Sequence, residues 1–264
     1  MILYHKGVVM KKIRGFSKIG VIVGVAIVGF LIAAAVIVID GNNRATNFDD
    51  YNFYSVIGAD SHNGNIGDHV KGDANAPVVI YEYADYQCGY CALMNPRVNA
   101  AIEKANGKLA VVYRNYLLSY HQNGTAAASA AEAAGLQGYW KEYADKLFTE
   151  QDEWAYATGT ERTGLFVKYF EEVTDGAGDT EKFKSDMGSD AVRQKINFDM
   201  GIGKRMDIAG TPSFYVDGQL IDFSNKEGSE ITVDGKLITW ETQLTGDQFT
   251  DLLVRIATAK TEDK

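Results

Sequence analysis

The sequence predicts an α/β domain interrupted by a block of helices and preceded by one membrane-spanning helix. Three observations carry that expectation. Two β-branched and aromatic runs flank a helix-forming run over residues 78–118. Helical spacing then fills about residues 117–205 before strand character returns at Thr211. Residues 19–39 are apolar and uncharged without a break.

Taken in order, "IGVIVGVAIVGFLIAAAVIVI" from Ile19 to Ile39 is long enough, at about 1.5 Å per residue, to cross a hydrocarbon core of roughly 30 Å. Lys11, Lys12, Arg14 and Lys18 precede it, and Asp40, Asp49 and Asp50 follow. The excess of cations on one side places residues 1–18 in the cytoplasm and everything after the helix outside. A cleaved signal peptide would have an apolar region of about 7–15 residues ending in a small-residue site. Here Ala33 to Ala35 lie inside the run, so an uncleaved anchor is expected. Met10, followed by Lys11 and Lys12, is an alternative start to Met1. Residues 40–69 are rich in Asn, Asp, Gly and Ser and read as an extracytoplasmic stalk. The folded domain is expected over 70–264.

Within that domain, "APVVIYEYAD" has the β-branched and aromatic content of a buried strand. "CGYCALMNPRVNAAIEKANGK" reads as a helix that ends near Gly107, with Pro96 inside it. "KLAVVYRNYLL" is a second strand, and the strand–helix–strand order favours a parallel pair. The Ala-rich segment from Asn123 to Gln151 and the segments after it are helical up to about residue 205. "TPSFYVDGQLIDF" turns back on itself at Asp217-Gly218, and a further hairpin is expected at Asp234-Gly235. Thr245 and Gln248 have capping-box spacing ahead of a last amphipathic helix.

Composition narrows the chemistry. A net charge of −9 over 264 residues argues against nucleic acid as a partner, because phosphate binding needs clustered cations. The chain has only two cysteines, Cys88 and Cys91, in "YEYADYQCGYC". As a structural clip the pair is inefficient: closing so short a loop stabilises by about 2 kcal/mol, against about 3 for a fifteen-residue loop. A zinc site needs four ligands, but there is no second pair, and His62, His69 and His121 lack ligand-like spacing. No metal and no bound cofactor are expected. Redox chemistry fits better. A cysteine that opens a helix faces unsatisfied N–H groups and the positive end of the dipole, which favour its thiolate. A second cysteine one turn on can resolve a mixed disulfide, and an exported location lets disulfides persist.

With those residues in place, the chain resembles the DsbA-like thiol–disulfide oxidoreductases, which have a thioredoxin fold with an inserted helical domain. The resemblance runs from about Val70 to Lys260. It rests on "GDANAPVVIYEYADYQCGYC", on Pro96 five residues after Cys91, on "AAASAAEAAGLQGYWKEYADKLF", and on "IAGTPSFYVDG". It implies that Cys88 is the exposed attacking cysteine, Cys91 the more buried resolving one, and Gly89 and Tyr90 the pair that tunes the redox potential. It also implies a cis Pro212 facing the cysteines, with the backbone of Thr211 bonding an extended substrate segment. Glu82 matches an acidic residue beneath the active site. It would either handle a proton there or be a strand residue facing solvent, depending on which face of the strand it occupies.

The resemblance further implies a role in introducing disulfides into reduced, unfolded exported proteins, with an integral-membrane, quinone-linked partner restoring the oxidised pair. A reductase or isomerase would use the same residues, and Gly89-Tyr90 also occurs in exported isomerases of the wider fold. From a different class, a tethered peptide-binding module would use the pair only as a clip.

Overall fold

The computed structural model describes residues 46–223, 228–240 and 244–260. The expected cytoplasmic segment 1–18 and membrane helix 19–39 lie outside the described residues. Among the described residues no helix is long and apolar enough to cross a membrane.

The centre is a five-stranded sheet: β1 (His69–Gly72), β2 (Val78–Ala84), β3 (Leu109–Asn115), β4 (Ser213–Val216) and β5 (Gln219–Leu220), in the order β1-β3-β2-β4-β5. β2 and β3 are parallel, and the remaining pairs are antiparallel. The parallel pair requires a crossover, which α1 (Gly89–Lys104) supplies. α1 and the C-terminal α8 (Gly246–Ala259) cover one face of the sheet. Their apolar sides meet Val78, Ile80, Val111 and Phe214, with Val98, Leu252, Leu253 and Ile256 in the same buried cluster. Strand alternation sends Tyr81, Tyr83 and Val112 to the other face, where they pack with Phe198 and Ile202 of α7 (Asp190–Arg205).

Between β3 and β4 stands the helical block: α2 (Gly124–Gly135), α3 (Trp140–Thr149), α4 (Gln151–Trp154), α5 (Gly159–Val173), α6 (Thr180–Met187) and α7. α2 is its axis. Ala127, Ala128, Ala130, Ala131, Ala133 and Ala134 are all buried, so this helix is enclosed nearly all round. Its methyl-sized surface lets α3, α6 and α7 pack close about it. The hairpins form where Asp-Gly marks them. Asp217-Gly218 and Asp234-Gly235 all take positive φ, as a two-residue hairpin turn with matching twist requires. The second turn joins β6 (Ser229–Val233) to β7 (Lys236–Trp240). The inward residues of that hairpin, Ile231, Val233, Ile238 and Trp240, join the α1/α8 core. The Thr245–Gln248 capping box opens α8 with both of its hydrogen bonds.

The stalk reading is corrected for residues 46–68. This segment is a strap packed on the domain: Ile57 and Ile66 are buried, and Phe48, Tyr51 and Phe53 lie against the α7 side of the sheet. The reason is Arg114, at the end of β3 and fully buried. Its Nη1 donates to Phe53 O at 2.6 Å and its Nη2 to Ser55 O at 3.0 Å. Nη2 also donates to Asp68 Oδ2 at 2.7 Å. Lys195 of α7 reaches Asp68 at 3.4 Å and Asp199 at 2.8 Å, with all these side chains buried. Of the segment's polar side chains, Asp68 is a buried partner of the Arg114 cation, and the backbone carbonyls of Phe53 and Ser55 supply the segment's other contacts to it.

Removing one member of such a cluster leaves an uncompensated buried charge, which costs about 3–5 kcal/mol. Arg114→Ala is therefore expected to lower unfolding stability by about that amount in denaturant titration. A change within about 0.5 kcal/mol, as for an ordinary surface site, would show that the strap and α7 are held by other contacts.

Candidate active site

β2 ends at Ala84, and a three-residue loop then delivers Cys88 to the N-cap of α1. Cys88 has extended backbone angles, φ −75° and ψ 119°, so its carbonyl starts the helix while its sulfur faces the first free N–H groups. The loop is fixed by Asp85, which is fully buried. Its carboxylate accepts from Gln87 N and Leu118 N, each at 2.9 Å, and lies 2.8 Å from His121 Nδ1. Asp85 O accepts from Cys88 N at 3.0 Å.

The helical block braces the same loop from outside. Gln151 Nε2 donates to Tyr86 O at 2.7 Å and to Cys88 O at 3.1 Å. Gln87 Nε2 donates to Ala155 O at 2.7 Å, and Gln87 Oε1 accepts from Asn123 N at 2.6 Å. Neither the sequence patterns nor the resemblance pointed to Asp85, Gln87 or Gln151. The one local signal was an Asp two residues before Gln87 in a turn, a common side-chain-to-backbone arrangement.

β4 carries the Thr211–Pro212 loop to the cysteines. Ser213 pairs with Tyr83 near the end of β2, so the residues just before β4 lie alongside the C-x-x-C turn. The Thr211–Pro212 peptide bond is cis, and the Cys88 thiol donates to Thr211 O at 3.3 Å. The structure therefore brings Cys88, Cys91, Thr211 and Pro212 together. Tyr90 projects outward, 69% exposed. At Gly89 an added Cβ would meet only Gln151 Oε1, at 3.9 Å, so that position is not sterically restricted to glycine.

The two sulfurs sit in opposite environments. Cys88, expected to be exposed, is 6% accessible, while Cys91 is fully buried. Thr211 O and the Gln151 side chain lie against Cys88. Its thiol is nonetheless pulled down to about 5, first by the hydrogen bond from Cys91, against burial. The Thr211 side chain and the N–H groups of Cys91 and Tyr90 add to that effect. Thr211 Oγ1 is buried and has no other hydrogen-bond partner. Cys91 is pushed well above the ordinary thiol value by burial, with the neighbouring Cys88 adding to it.

Glu82 is 2% exposed and faces α1, since Tyr81 and Tyr83 point to the opposite side against Arg114. Of its two alternatives, the buried one holds. Burial lifts its carboxyl to about 7, with Lys71 opposing and Asp145 and Cys88 contributing. The described histidines are engaged elsewhere. His69 stacks on Trp140 and bonds Glu132, His121 bonds Asp85, and His62 bonds Tyr51.

A family model described as thioredoxin matches residues 64–234. Among curated proteins, the Na(+)/H(+) antiporter NhaA 3 of Salinispora tropica is 31% identical over 152 residues, which are 58% of this chain and 22% of that protein. The Na(+)/H(+) antiporter NhaA 1 of Mycolicibacterium gilvum is 30% identical over 155 residues, 58% of this chain and 24% of that protein. The chain thus spans less than a quarter of the length of these relatives.

Among solved structures, oxidised BdbD from Bacillus subtilis superposes with a TM-score of 0.54 at 21% identity, covering 77% of this chain and 98% of that one. Wolbachia pipientis α-DsbA1 gives 0.53 at 21%, covering 73% and 92%. A thioredoxin-like oxidoreductase from Silicibacter pomeroyi gives 0.52 at 23%, covering 72% and 92%. At these identities the likeness is one of fold.

The Cys88 environment has a measurable consequence. Its alkylation rate and thiolate absorbance should titrate with a midpoint of about 5 in the reduced protein, whereas Cys91 should stay protonated through neutral pH. A folded-state value below the unfolded one stabilises the dithiol form fully above the unfolded thiol value. That contribution is lost as pH falls through about 5. An alkylation midpoint near the ordinary thiol value of about 8.5 would show that the helix terminus does not activate Cys88.

Proposed function

The chain belongs to the thioredoxin family, and from that premise we propose that it is a DsbA-like protein thiol–disulfide oxidoreductase that introduces disulfides into exported proteins. The observation that carries this reading is the asymmetry of the cysteines: a low-pKa Cys88 at a helix N-terminus over a fully buried Cys91. A stabilised Cys88 thiolate favours the reduced pair, which makes the disulfide a strong oxidant. The same feature favours donation of disulfides over reduction.

In this reading a thiolate of a reduced, unfolded substrate attacks Cys88 Sγ of the Cys88–Cys91 disulfide. A mixed disulfide forms at Cys88, and Cys91 leaves. The substrate segment lies extended along the Thr211–Pro212 loop and bonds the Thr211 backbone, as in strand addition. Gly89 and Tyr90 adjust the potential, and Glu82 exchanges a proton with Cys91. The apolar run 19–39 anchors the chain, with residues 1–18 cytoplasmic and the domain outside. An integral-membrane partner that passes electrons to a quinone restores the disulfide.

The test is the redox equilibrium of the chain against glutathione, read by thiol trapping. The expected potential lies above the cytosolic glutathione range of about −220 to −260 mV, with each 30 mV worth about 1.4 kcal/mol in favour of the reduced form. A value near about −270 mV, that of reducing thioredoxins, would overturn the donor role. Cys91→Ser, with Cys88 first capped as a mixed disulfide by oxidised glutathione, should release glutathione to a reduced, unfolded substrate and hold that substrate in a mixed disulfide, visible as a mass shift. Cys88→Ser should form none. Equal trapping by the two variants would contradict the assigned order of attack.

A further inference from the structure

Two carboxylates join the helical block to the helix that carries the cysteines. Asp145 of α3 accepts from Lys71 Nζ of β1 at 2.8 Å, and from the amides of Asn95 and Asn99 on α1 at 2.9 and 3.1 Å. Asp85 is the other, and its own main chain holds the cysteine turn. Asp85 O accepts from Cys88 N at 3.0 Å. Burial pushes the Cys91 thiol up, and the N–H of Asp85 acts in the opposite direction on the same sulfur.

The Asp85 side chain faces the segment between β3 and α2. Its Oδ1 accepts from Gln87 N at 2.9 Å, and its Oδ2 accepts from Leu118 N at 2.9 Å and lies 2.8 Å from His121 Nδ1. A carboxylate has about four acceptor sites. With three partners in place, the two torsions of so short a side chain leave its backbone little room. The segment is held in turn: Tyr116 N donates to Ala84 O at 2.9 Å, His121 N to Leu118 O at 2.9 Å, and Gly124 N to His121 O at 3.3 Å. α2 then begins on the carboxylate. A Cβ at Gly124 would stand 2.8 Å from Asp85 Oδ1, closer than a methyl group can come.

Two of the three donors are main-chain N–H groups, and His121 supplies the one side chain. Its side chain is 17% exposed, and Tyr120 meets it edge-on at 4.7 Å. The charged and titratable groups around the pair are Cys88, Cys91 and Tyr113 of β3, which feels the Asp85 charge. Arg162 of α5 reaches the neighbouring Asn123 at 2.6 Å, and the first turn of α2 contains no acidic residue.

We propose that His121 is a positioning residue for the exchange reaction. By donating from Nδ1 to Asp85 it fixes the main chain that holds Cys88 at the head of α1, and so sets the alignment of the first N–H groups of α1 on the Cys88 sulfur. The proposal rests on the thiol–disulfide reading above. In the second half of that exchange, a second substrate thiolate bonds to the substrate sulfur. The bond from that sulfur to Cys88 breaks, and its electron pair stays on Cys88. Those N–H groups face the sulfur that receives the pair. What the arrangement needs from His121 is a donor, and an Asn places its Nδ2 the same number of bonds from the backbone as Nδ1.

His121→Leu removes the donor, and His121→Asn restores one without the ring. In the full chain, the Cys88 midpoint read from alkylation rate should rise by about one unit in His121→Leu. The equilibrium with glutathione should move about tenfold toward the disulfide, the equivalent of that unit. His121→Asn should match the native chain in both readings. Support of the fold alone would lower unfolding stability in denaturant and leave both readings in place. Gly124→Ala presses on the same carboxylate from α2 and should also raise the Cys88 midpoint, which decides the matter if His121→Leu does not fold. An unchanged midpoint, or an Asn variant that behaves as the Leu variant does, overturns the proposal. If the native chain does not exchange with glutathione, the functional reading falls and this proposal with it. If native exchange is normal and His121→Leu matches it, this proposal alone falls.

Discussion

The arrangement depends most on the buried charge cluster of Asp68, Arg114, Lys195 and Asp199. Four ionic side chains removed from water would be prohibitive singly, since each loses several kcal/mol of solvation. Together they are matched, with two carboxylates against two cations. Asp68 stays below the ordinary carboxylate range despite its burial, because Lys195 and Arg114 flank it. The cluster draws its members from the strap, from β3 and from α7. Asp199 also accepts from Asn115 N and Nδ2 at 3.1 and 3.0 Å, and Asn115 Nδ2 donates to Glu132 of α2 at 2.7 Å. Strap, sheet and helical block are therefore joined at the same end of β3, next to the loop that carries the cysteines.

That joint gives the site its rigidity. The C-x-x-C turn is a short loop between a strand and a helix, and by itself it has few ways to hold a sulfur in place. Asp85 ties it to the loop after β3, while Gln151 and Gln87 tie it to α4 and the residue after it. The helical block is thus a support for the cysteine turn. Through Asp145 it also reaches the floor beneath that turn.

The chemistry follows from two sulfurs one helical turn apart in different electrostatic surroundings. Cys88 is at the helix start, where N–H groups and the Cys91 thiol favour its anion. Cys91 is inside, where burial disfavours the same charge. In the proposed reading the first cysteine is the nucleophile and leaving group and the second is the one released inside. Burial likewise lifts the Glu82 carboxyl, to about 7.

Sequence alone determined the features that are local. The C-x-x-C at a helix start, the strand–helix–strand order, the two Asp-Gly turns and the Thr245–Gln248 cap are set by interactions spanning four or five residues. Short-range patterns report such interactions directly. Tertiary structure decided the rest. The strap has no helical or strand period, so its apolar residues looked scattered until Arg114 and α7 gave them a surface. Which way Glu82 points depends on the register and covering of β2, which strand composition does not reveal. Lys71 and Asp145 are 74 residues apart, and residues of their types usually lie at the surface. Only folding brings them beneath the cysteines. A buried charge is tolerated only when its partner is already there, and that partner comes from elsewhere in the chain.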